Sequence, residues 1–134
     1  MNLVEKIKIL NNFLKTKNFN KVIEDGKKIL KKSPKNEYLL NLIGMAFQGK
    51  AQYLNSIKFF EECLKQNPDN IAAMNNHANS LKAVGKFEQS KNLYEKILNK
   101  DPNYIRAYNN LANLKTAYND YEGAIDLYIK AITL

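Results

Sequence analysis

Apolar residues recur along the chain at spacings of three and four, which is typical of amphipathic helices. One such stripe contains Met74, Ala78 and Leu81, and a second contains Tyr94 and Ile97. A glycine-containing segment, VGKF, separates the two stripes and favours a turn between them. Neither stripe has enough apolar surface to keep an isolated helix folded in water. The pattern therefore predicts short helices that cover one another's apolar faces.

This pattern repeats every 34 residues. Pro34, Pro68 and Pro102 mark the period, and each ends a helix because proline cannot continue one. Two further registers keep their chemical character at the same step, an aromatic one at Phe19, Tyr53, Phe87 and Tyr121 and an aliphatic one at Leu30, Leu64, Leu98 and Ile132. A period of this length is the signature of stacked supersecondary units. The sequence therefore predicts an all-α array of helix–turn–helix units.

These registers resemble the tetratricopeptide repeat (TPR), a helix–turn–helix unit of 34 residues. The third unit has the residue types of that pattern at Met74, His77, Ala78, Leu81, Ser90, Tyr94, Ile97 and Pro102. The resemblance implies an all-α fold, a right-handed α-solenoid, with a single domain over residues 1–134. Repeats are expected at 3–36, 37–70, 71–104 and 105–134, the last of them truncated before its proline. The first repeat is atypical, as terminal repeats often are, with Leu10 at a small position and Gly26 at an aromatic one.

Asparagine is frequent on the first helices of the later units, although it is a poor helix former. Residues three apart share a helix face, and the asparagines also match across units, as Asn76 with Asn110, Asn79 with Asn113, and Asn75 with Asn109, with Asn41 one repeat earlier. In this family the first helix of each unit lines the concave surface. The resemblance therefore implies that these side chains line a groove.

A carboxamide both donates and accepts hydrogen bonds, so a ladder of asparagines can hold the backbone of an extended peptide. The groove is similar to that of O-linked N-acetylglucosamine transferase, whose asparagine ladder holds substrate peptide. The resemblance implies peptide-binding residues at Asn41, Asn75, Asn76, Asn79, Lys82, Arg106, Asn109, Asn110 and Asn113. Two alternatives remain open: the asparagines bond one another between repeats, or they reflect a general bias in composition.

The carboxylate clamp of chaperone-binding repeats is not expected in this chain. That clamp needs a Lys–Asn, Asn, Lys–Arg set across three consecutive units. The corresponding residues here are Ile7 and Asn11, then Leu42, then Ala72 and Asn76, and starting one unit later they are Asn41 and Met45, then Asn76, then Arg106 and Asn110. Neither set supplies the required cations. The expected partner is instead another peptide or protein in the concave groove.

The positive charge is concentrated near the N-terminus. The chain has a net charge of +8, and residues 1–36 contribute +7 of it through ten lysines and three acidic residues. A basic end can attract nucleic acid or an anionic surface, and a module of that kind is the alternative function. A solvated outer face explains the same lysines, so nucleic acid is not the expected partner.

Catalytic and metal-binding chemistry is not predicted. His77 is the only histidine, with no cysteine or carboxylate at a partner spacing, and Cys63 occupies a small core register. One cysteine and one histidine make no metal set, so we expect no enzyme activity and no cofactor. The N-terminal residues carry charges within their apolar run and do not resemble a signal peptide. No apolar stretch is long enough to insert into a membrane, and a cytoplasmic location is expected.

The last predicted helix carries an apolar stripe at Ile125, Tyr128, Ile129 and Ile132. Part of this stripe faces water unless something covers it. We expect either a further segment of a longer protein or self-association through this helix.

Overall fold

The computed structural model describes all residues, 1–134, and consists of eight α-helices without a β-strand. The helices are α1 (Leu3–Lys15), α2 (Phe19–Lys32), α3 (Glu37–Gly49), α4 (Tyr53–Gln66), α5 (Ile71–Ala83), α6 (Phe87–Lys100), α7 (Ile105–Ala117) and α8 (Tyr121–Thr133). The prediction of an all-α solenoid of helix–turn–helix repeats is confirmed.

The helix starts follow the sequence period. The first helix of each pair begins at Leu3, Glu37, Ile71 and Ile105, and the second at Phe19, Tyr53, Phe87 and Tyr121. The aromatic register of the sequence is therefore the first residue of every second helix. The three prolines lie in the turns between one pair of helices and the next.

The turn inside each pair contains one residue with a left-handed backbone conformation. This residue is Lys17, Ala51, Gly85 or Asn119, with φ of 61°, 58°, 84° and 64° respectively. The following amide then donates to a carbonyl five residues back, as in the 2.9 Å bonds from Gln52 to Phe47 and from Lys86 to Leu81. This bond belongs to the Schellman motif, which satisfies carbonyls at a helix end. Only the glycine adopts this conformation without steric cost.

A separate set of asparagines begins the first helices. The side-chain oxygens of Asn2, Asn36 and Asn70 accept hydrogen bonds from the amides of Glu5, Leu39 and Ala73, at 2.9, 3.0 and 3.0 Å. Asparagine is a favoured residue for this capping role because its oxygen satisfies an amide that has no partner inside the helix. Part of the asparagine content of the chain is therefore explained by helix capping.

The contacts divide the chain into two compact units, residues 1–73 and 74–134. In the first unit, α1, α2 and α3 surround a core of Leu10, Val22, Leu39, Leu42 and Ala46, and a second cluster contains Leu40, Cys63 and Ala73. Gly26 is buried under α3, where an added Cβ would lie 2.8 Å from Cγ1 of Ile43. The glycine at this aromatic register therefore allows α2 and α3 to approach closely.

In the second unit, the buried side chains come from all four helices and include Met74, Ala78, Leu81, Tyr94, Ile97, Leu111, Ala112, Leu114 and Ala124. Ser90 is buried among them, and its hydroxyl donates to the carbonyl oxygen of Ala78 at 2.8 Å. This bond satisfies the one polar atom of the Ser90 side chain and links α6 to α5.

Candidate functional site

The predicted asparagine face is best described in the second unit, where α5 and α7 are joined by a bond between two carboxamides. Nδ2 of Asn110 donates to Oδ1 of Asn75 at 3.0 Å. Asn75 is only 5% exposed. The prediction that Asn75 lines the groove is therefore corrected, because its side chain is buried and bonds the neighbouring repeat. At this pair, the alternative that asparagines bond one another between repeats describes the contact.

Asn79 and Asn113 are held by a different contact, a hydrogen bond from a tyrosine hydroxyl. The hydroxyl of Tyr94 on α6 donates to Oδ1 of Asn79 on α5, and the hydroxyl of Tyr128 on α8 donates to Oδ1 of Asn113 on α7. The two pairs lie at the same registers of successive repeats. Each tyrosine fixes the orientation of one carboxamide on the first helix of its own repeat.

This contact determines which atoms of the carboxamide are available. The oxygens of Asn79 and Asn113 are engaged by tyrosine, whereas each Nδ2 keeps two N–H donors. Burial raises the pKa of Tyr94 to about 12, with a smaller opposing effect from its hydrogen bond with Ser90. Tyr94 is therefore protonated at physiological pH and remains a donor to Asn79.

Sequence reasoning missed this pairing, although a signal for it was present. The registers of Asn79 and Tyr94 hold Met45 and Phe60 one repeat earlier. Where the first register holds asparagine, the second holds tyrosine, whose hydroxyl can bond to the carboxamide. Where the first register holds methionine, the second holds phenylalanine, which has no hydroxyl. Comparing the two registers jointly would have indicated a contact between them.

Two cations accompany the asparagines. Lys82 on α5 is half-buried, and desolvation lowers its pKa, while Arg106 on α7 is exposed. Lys115 on α7 is paired with Asp120, at 3.5 Å between Nζ and Oδ2. Residues 74–83 of α5 and all of α7 contain no acidic side chain. The two helices therefore carry hydrogen-bond donors and positive charge without carboxylates of their own.

The other predicted groove residues are placed individually. Asn109 is exposed on α7 and Asn76 is half-buried on α5. Asn41 lies on α3 in the first unit, where its Nδ2 is 3.7 Å from Sδ of Met45. None of these positions contradicts the prediction that the residue contacts a peptide.

Cys63 is a buried thiol, as its register predicted. Its Sγ donates to the carbonyl oxygen of Glu37 at 3.4 Å. Burial, with a smaller contribution from the charge of Glu37, raises its pKa to about 11. The reactive thiolate is therefore scarcely populated at neutral pH. His77 is half-buried on α5, and no group of three or more histidine, cysteine or acidic side chains is arranged to hold a metal ion.

The lysines of the first repeat lie mainly on the surface of the first unit. Lys6, Lys28 and Lys32 line a pocket of about 370 Å³ beside Leu3 and Ile29. Lys21 is paired with Asp25 at 3.3 Å. None of the eight helices has the length and apolar content that crossing a membrane requires.

Two family models described as tetratricopeptide repeat match the chain, over residues 38–70 and 93–126. None of the curated proteins compared with the chain matches it.

Solved structures with the same fold are similar over most of the chain. A crystal structure of MamA has a TM-score of 0.82 at 18% identity, covering 93% of this chain and 73% of that one. The first TPR domain of human RPAP3 has a TM-score of 0.82 at 20% identity, covering 89% and 94%. The first TPR of Spaghetti (RPAP3), bound to the HSP90 peptide SRMEEVD, has a TM-score of 0.81 at 20% identity, covering 86% and 91%. At sequence identities this low, the structural similarity shows a shared fold and no more.

Proposed function

The chain belongs to the tetratricopeptide repeat family, and we propose that it is a non-catalytic scaffold for an extended segment of a partner protein. The proposed contact surface is the face of α5 and α7 in the second unit that carries Asn76, Asn79, Lys82, Arg106, Asn109, Asn110 and Asn113. The observation that carries the proposal is the repeated tyrosine–asparagine bond, at Asn79 and again at Asn113.

An extended peptide presents a carbonyl oxygen at every residue, and each one needs a donor when it leaves water. The oriented Nδ2 groups of Asn79 and Asn113 supply such donors at matching positions of successive repeats. Because the donors recognise the backbone, binding of this kind tolerates many side-chain sequences. Specificity then comes from the charged residues beside the asparagines.

Lys82 and Arg106 favour a segment with acidic side chains. Lys82 is already partly desolvated, so part of its hydration is lost before a carboxylate binds. The absence of acidic residues from residues 74–83 and from α7 removes competing partners on the same helices. The proposed ligand is therefore an extended segment with backbone carbonyls exposed and a negative net charge.

The proposed ligand differs in class from the peptide held by one similar structure. That RPAP3 domain is bound to an HSP90 peptide. In this chain, the clamp registers that need a cation hold Ile7, Ala72 and Asn76. Starting one unit later, they hold Asn41, Arg106 and Asn110, of which only Arg106 is a cation. We therefore propose an internal segment of a partner protein rather than the C-terminus of a chaperone.

The proposal is tested by selecting peptides from a random 12-residue library on the intact chain and measuring their binding to an Asn79→Ala, Asn113→Ala double variant. Each lost contact should cost about 1–3 kcal/mol, so binding weakens at least about tenfold. The helices should persist, because alanine is the better helix former.

The matched control is the Asn92→Ala, Asn99→Ala variant, which changes two exposed asparagines on α6. Its peptide binding should equal that of the unchanged chain. Equal binding by the Asn79, Asn113 variant would exclude this face as the binding site.

A further inference from the structure

An apolar pocket of about 490 Å³ lies between α2 and α4 in the first unit. Its apolar residues are Leu30 on α2, Pro34 in the turn that follows, Leu40 on α3 and Phe59 on α4. Leu40 is buried, and the half-buried Leu30 and Phe59 pack against the core cluster that contains it. The base of the pocket is therefore part of the hydrophobic core, and a ligand would contact apolar surface that is already in place.

Three exposed lysines surround this apolar surface, Lys27 and Lys31 on α2 and Lys58 on α4. The Nζ of Lys27 lies 5.3 Å from the ring centre of Phe47, within the range of a cation–π contact. Phe47 in turn stacks on Phe59, with 5.5 Å between the ring centres. The aromatic residues that form the pocket therefore also hold one of its cations in place.

The pocket contains a single carboxylate, that of Glu62 on α4. Its Oε2 lies 3.5 Å from the Nζ of Lys65, which is not one of the residues that line the pocket. The lysines of the pocket therefore outnumber the carboxylate, and the carboxylate has a partner of its own. The pocket is electrostatically suited to a ligand with negative charge.

This positive charge is particular to the pocket and is not a feature of the repeat. One repeat later, the registers of the three lysines hold Glu61, Lys65 and Asn92, which together carry no net charge. Two repeats later they hold Glu95, Asn99 and Asp126, with a net charge of −2. The stacking of helix pairs therefore does not require lysine at these positions.

The exposure of the pocket, in contrast, is a property of its registers. One repeat later, the four apolar registers hold Leu64, Pro68, Met74 and Leu93. Each of these residues has the same degree of burial as its counterpart in the pocket. They belong to the second and third repeats, which have further repeats before and after them along the chain. The accessibility of the pocket therefore does not arise from its place in the first repeat.

We propose that this pocket, the α2–α4 pocket, binds an apolar side chain of a partner protein that has acidic residues on both sides of it. A leucine or phenylalanine of the partner contacts Leu40 and Phe59, and its burial supplies most of the affinity. Carboxylates on one side of that residue meet Lys27 and Lys31, and those on the other side meet Lys58. The contact does not depend on the function proposed for the α5–α7 face.

The test begins with a selection on the chain that carries Asn79→Ala and Asn113→Ala. The library consists of 12-residue peptides with a central leucine or phenylalanine flanked by aspartate and glutamate. Because the two substitutions remove the contacts proposed for α5 and α7, this test and the test of that function can fail separately. Enriched peptides should bind with a dissociation constant on the order of 10–100 μM, since a contact centred on one pocket is small.

A variant that reproduces the charges of the next repeat tests the role of the lysines. Lys27→Glu and Lys58→Asn together introduce the residue types found at Glu61 and Asn92, so the fold should tolerate both. We expect the affinity for an enriched peptide, measured by isothermal titration, to fall at least about fivefold. Alanine in place of the central apolar residue of the peptide should lower the affinity at least about tenfold.

The matched control is the Lys17→Asn, Lys28→Glu variant. It changes the net charge by the same amount, at two exposed lysines that do not line the α2–α4 pocket. It also introduces residue types that occur at the same registers, in Asn119 and Glu62. Peptide affinity should stay within about twofold of that of the unchanged pocket, because salt screens charges at a distance.

Three results would overturn the proposal. The first is a selection that enriches no peptide, and the second is equal affinity after Lys27→Glu and Lys58→Asn. The third is equal affinity of the peptide whose central residue is alanine, which would mean that its negative charge alone is attracted to the basic first repeat. Far-UV circular dichroism of each variant checks that its helices are intact.

Discussion

The hydroxyl of Tyr94 donates a hydrogen bond to the side-chain oxygen of Asn79. The contact joins the two helices of one repeat and leaves the Nδ2 group of Asn79 as the available part of the carboxamide. The same contact recurs between Tyr128 and Asn113. We therefore regard the tyrosines as positioning residues for the donors that the proposed ligand requires.

Removing the two hydroxyls tests this positioning role. In a Tyr94→Phe, Tyr128→Phe variant the rings still pack, but the oxygens of Asn79 and Asn113 lose their donors and the carboxamides can rotate. We expect peptide binding to weaken about threefold to tenfold, and the free energy of unfolding to fall by about 1 kcal/mol per bond.

Isothermal titration with a selected peptide and urea unfolding measure the two effects. Tyr53→Phe serves as the control, since Tyr53 begins α4 and no hydrogen bond of its hydroxyl orients an asparagine. Unchanged peptide affinity in the double variant would show that the hydroxyls stabilise the fold without positioning the site.

The left-handed turn residues predict opposite effects of two small substitutions. Ala51 has a φ of 58° and Gly85 a φ of 84°. Ala51→Gly relieves the steric cost of a left-handed alanine, and part of that gain is offset by the greater freedom of glycine in the unfolded chain. We expect the free energy of unfolding to rise by about 0.5–1 kcal/mol in Ala51→Gly and to fall by about 1 kcal/mol in Gly85→Ala.

Urea unfolding of the two variants measures these changes. An added Cβ at Gly85 meets no atom within 4 Å, so the loss there arises from backbone conformation alone. Changes of the same sign in both variants would contradict this account of the turns.

Stability should depend on pH in the alkaline range. Burial raises the pKa of Cys63 from 9.0 to about 11 in the folded chain, so the folded state holds its thiol proton more tightly than the unfolded state. This contribution to stability is complete below pH 9 and is lost as the pH rises toward 11. Tyr94, raised from 10.0 to about 12, adds a similar loss between pH 10 and pH 12.

The measurement is the midpoint of thermal unfolding between pH 7 and pH 11. Cys63→Ser removes the titrating thiol and keeps a hydroxyl that can donate to the carbonyl of Glu37. Its midpoint should decline less between pH 9 and pH 10 than that of the unchanged chain. Equal slopes in the two proteins would mean that Cys63 does not titrate differently in the folded and unfolded states.

The lysines of the first repeat test the alternative function. Reversing Lys28, Lys31 and Lys32 to glutamate should leave peptide binding unchanged, because the proposed ligand contacts lie on α5 and α7. Binding to a 20-nucleotide single-stranded RNA should be weak at 150 mM salt before and after the reversal. Tight RNA binding that the reversal abolishes, with a steep dependence on salt, would favour a nucleic-acid module instead.

Much of the fold could be predicted from the sequence because the period constrains it. The prolines and the aromatic register locate the helix ends in every repeat. The left-handed turns are only partly predictable: Gly85 and Asn119 are residue types that favour this conformation, but Lys17 and Ala51 are not. Their conformation follows from the geometry of the repeat rather than from their own preference.

The asparagine face could be predicted only in part. Spacing placed several asparagines on a common face, but spacing alone does not distinguish a buried side chain from an accessible one. The side chain of Asn75 is buried, and its oxygen accepts a hydrogen bond from Asn110 on the neighbouring repeat. The orientation of Asn79 depends on Tyr94, which lies on a different helix, and the sequence of each helix by itself does not reveal it.

The side-chain amide resonances of Asn79 and Asn113 test the central claim most directly. In a ¹⁵N-labelled chain, the Nδ2 signals of both residues should shift when a selected acidic peptide is added, and the signals of Asn92 and Asn99 should stay in place. The account predicts shifts at both sites with the same apparent affinity, because one extended peptide contacts both repeats. Saturation of the chain with peptide while both Nδ2 signals remain unchanged would contradict it.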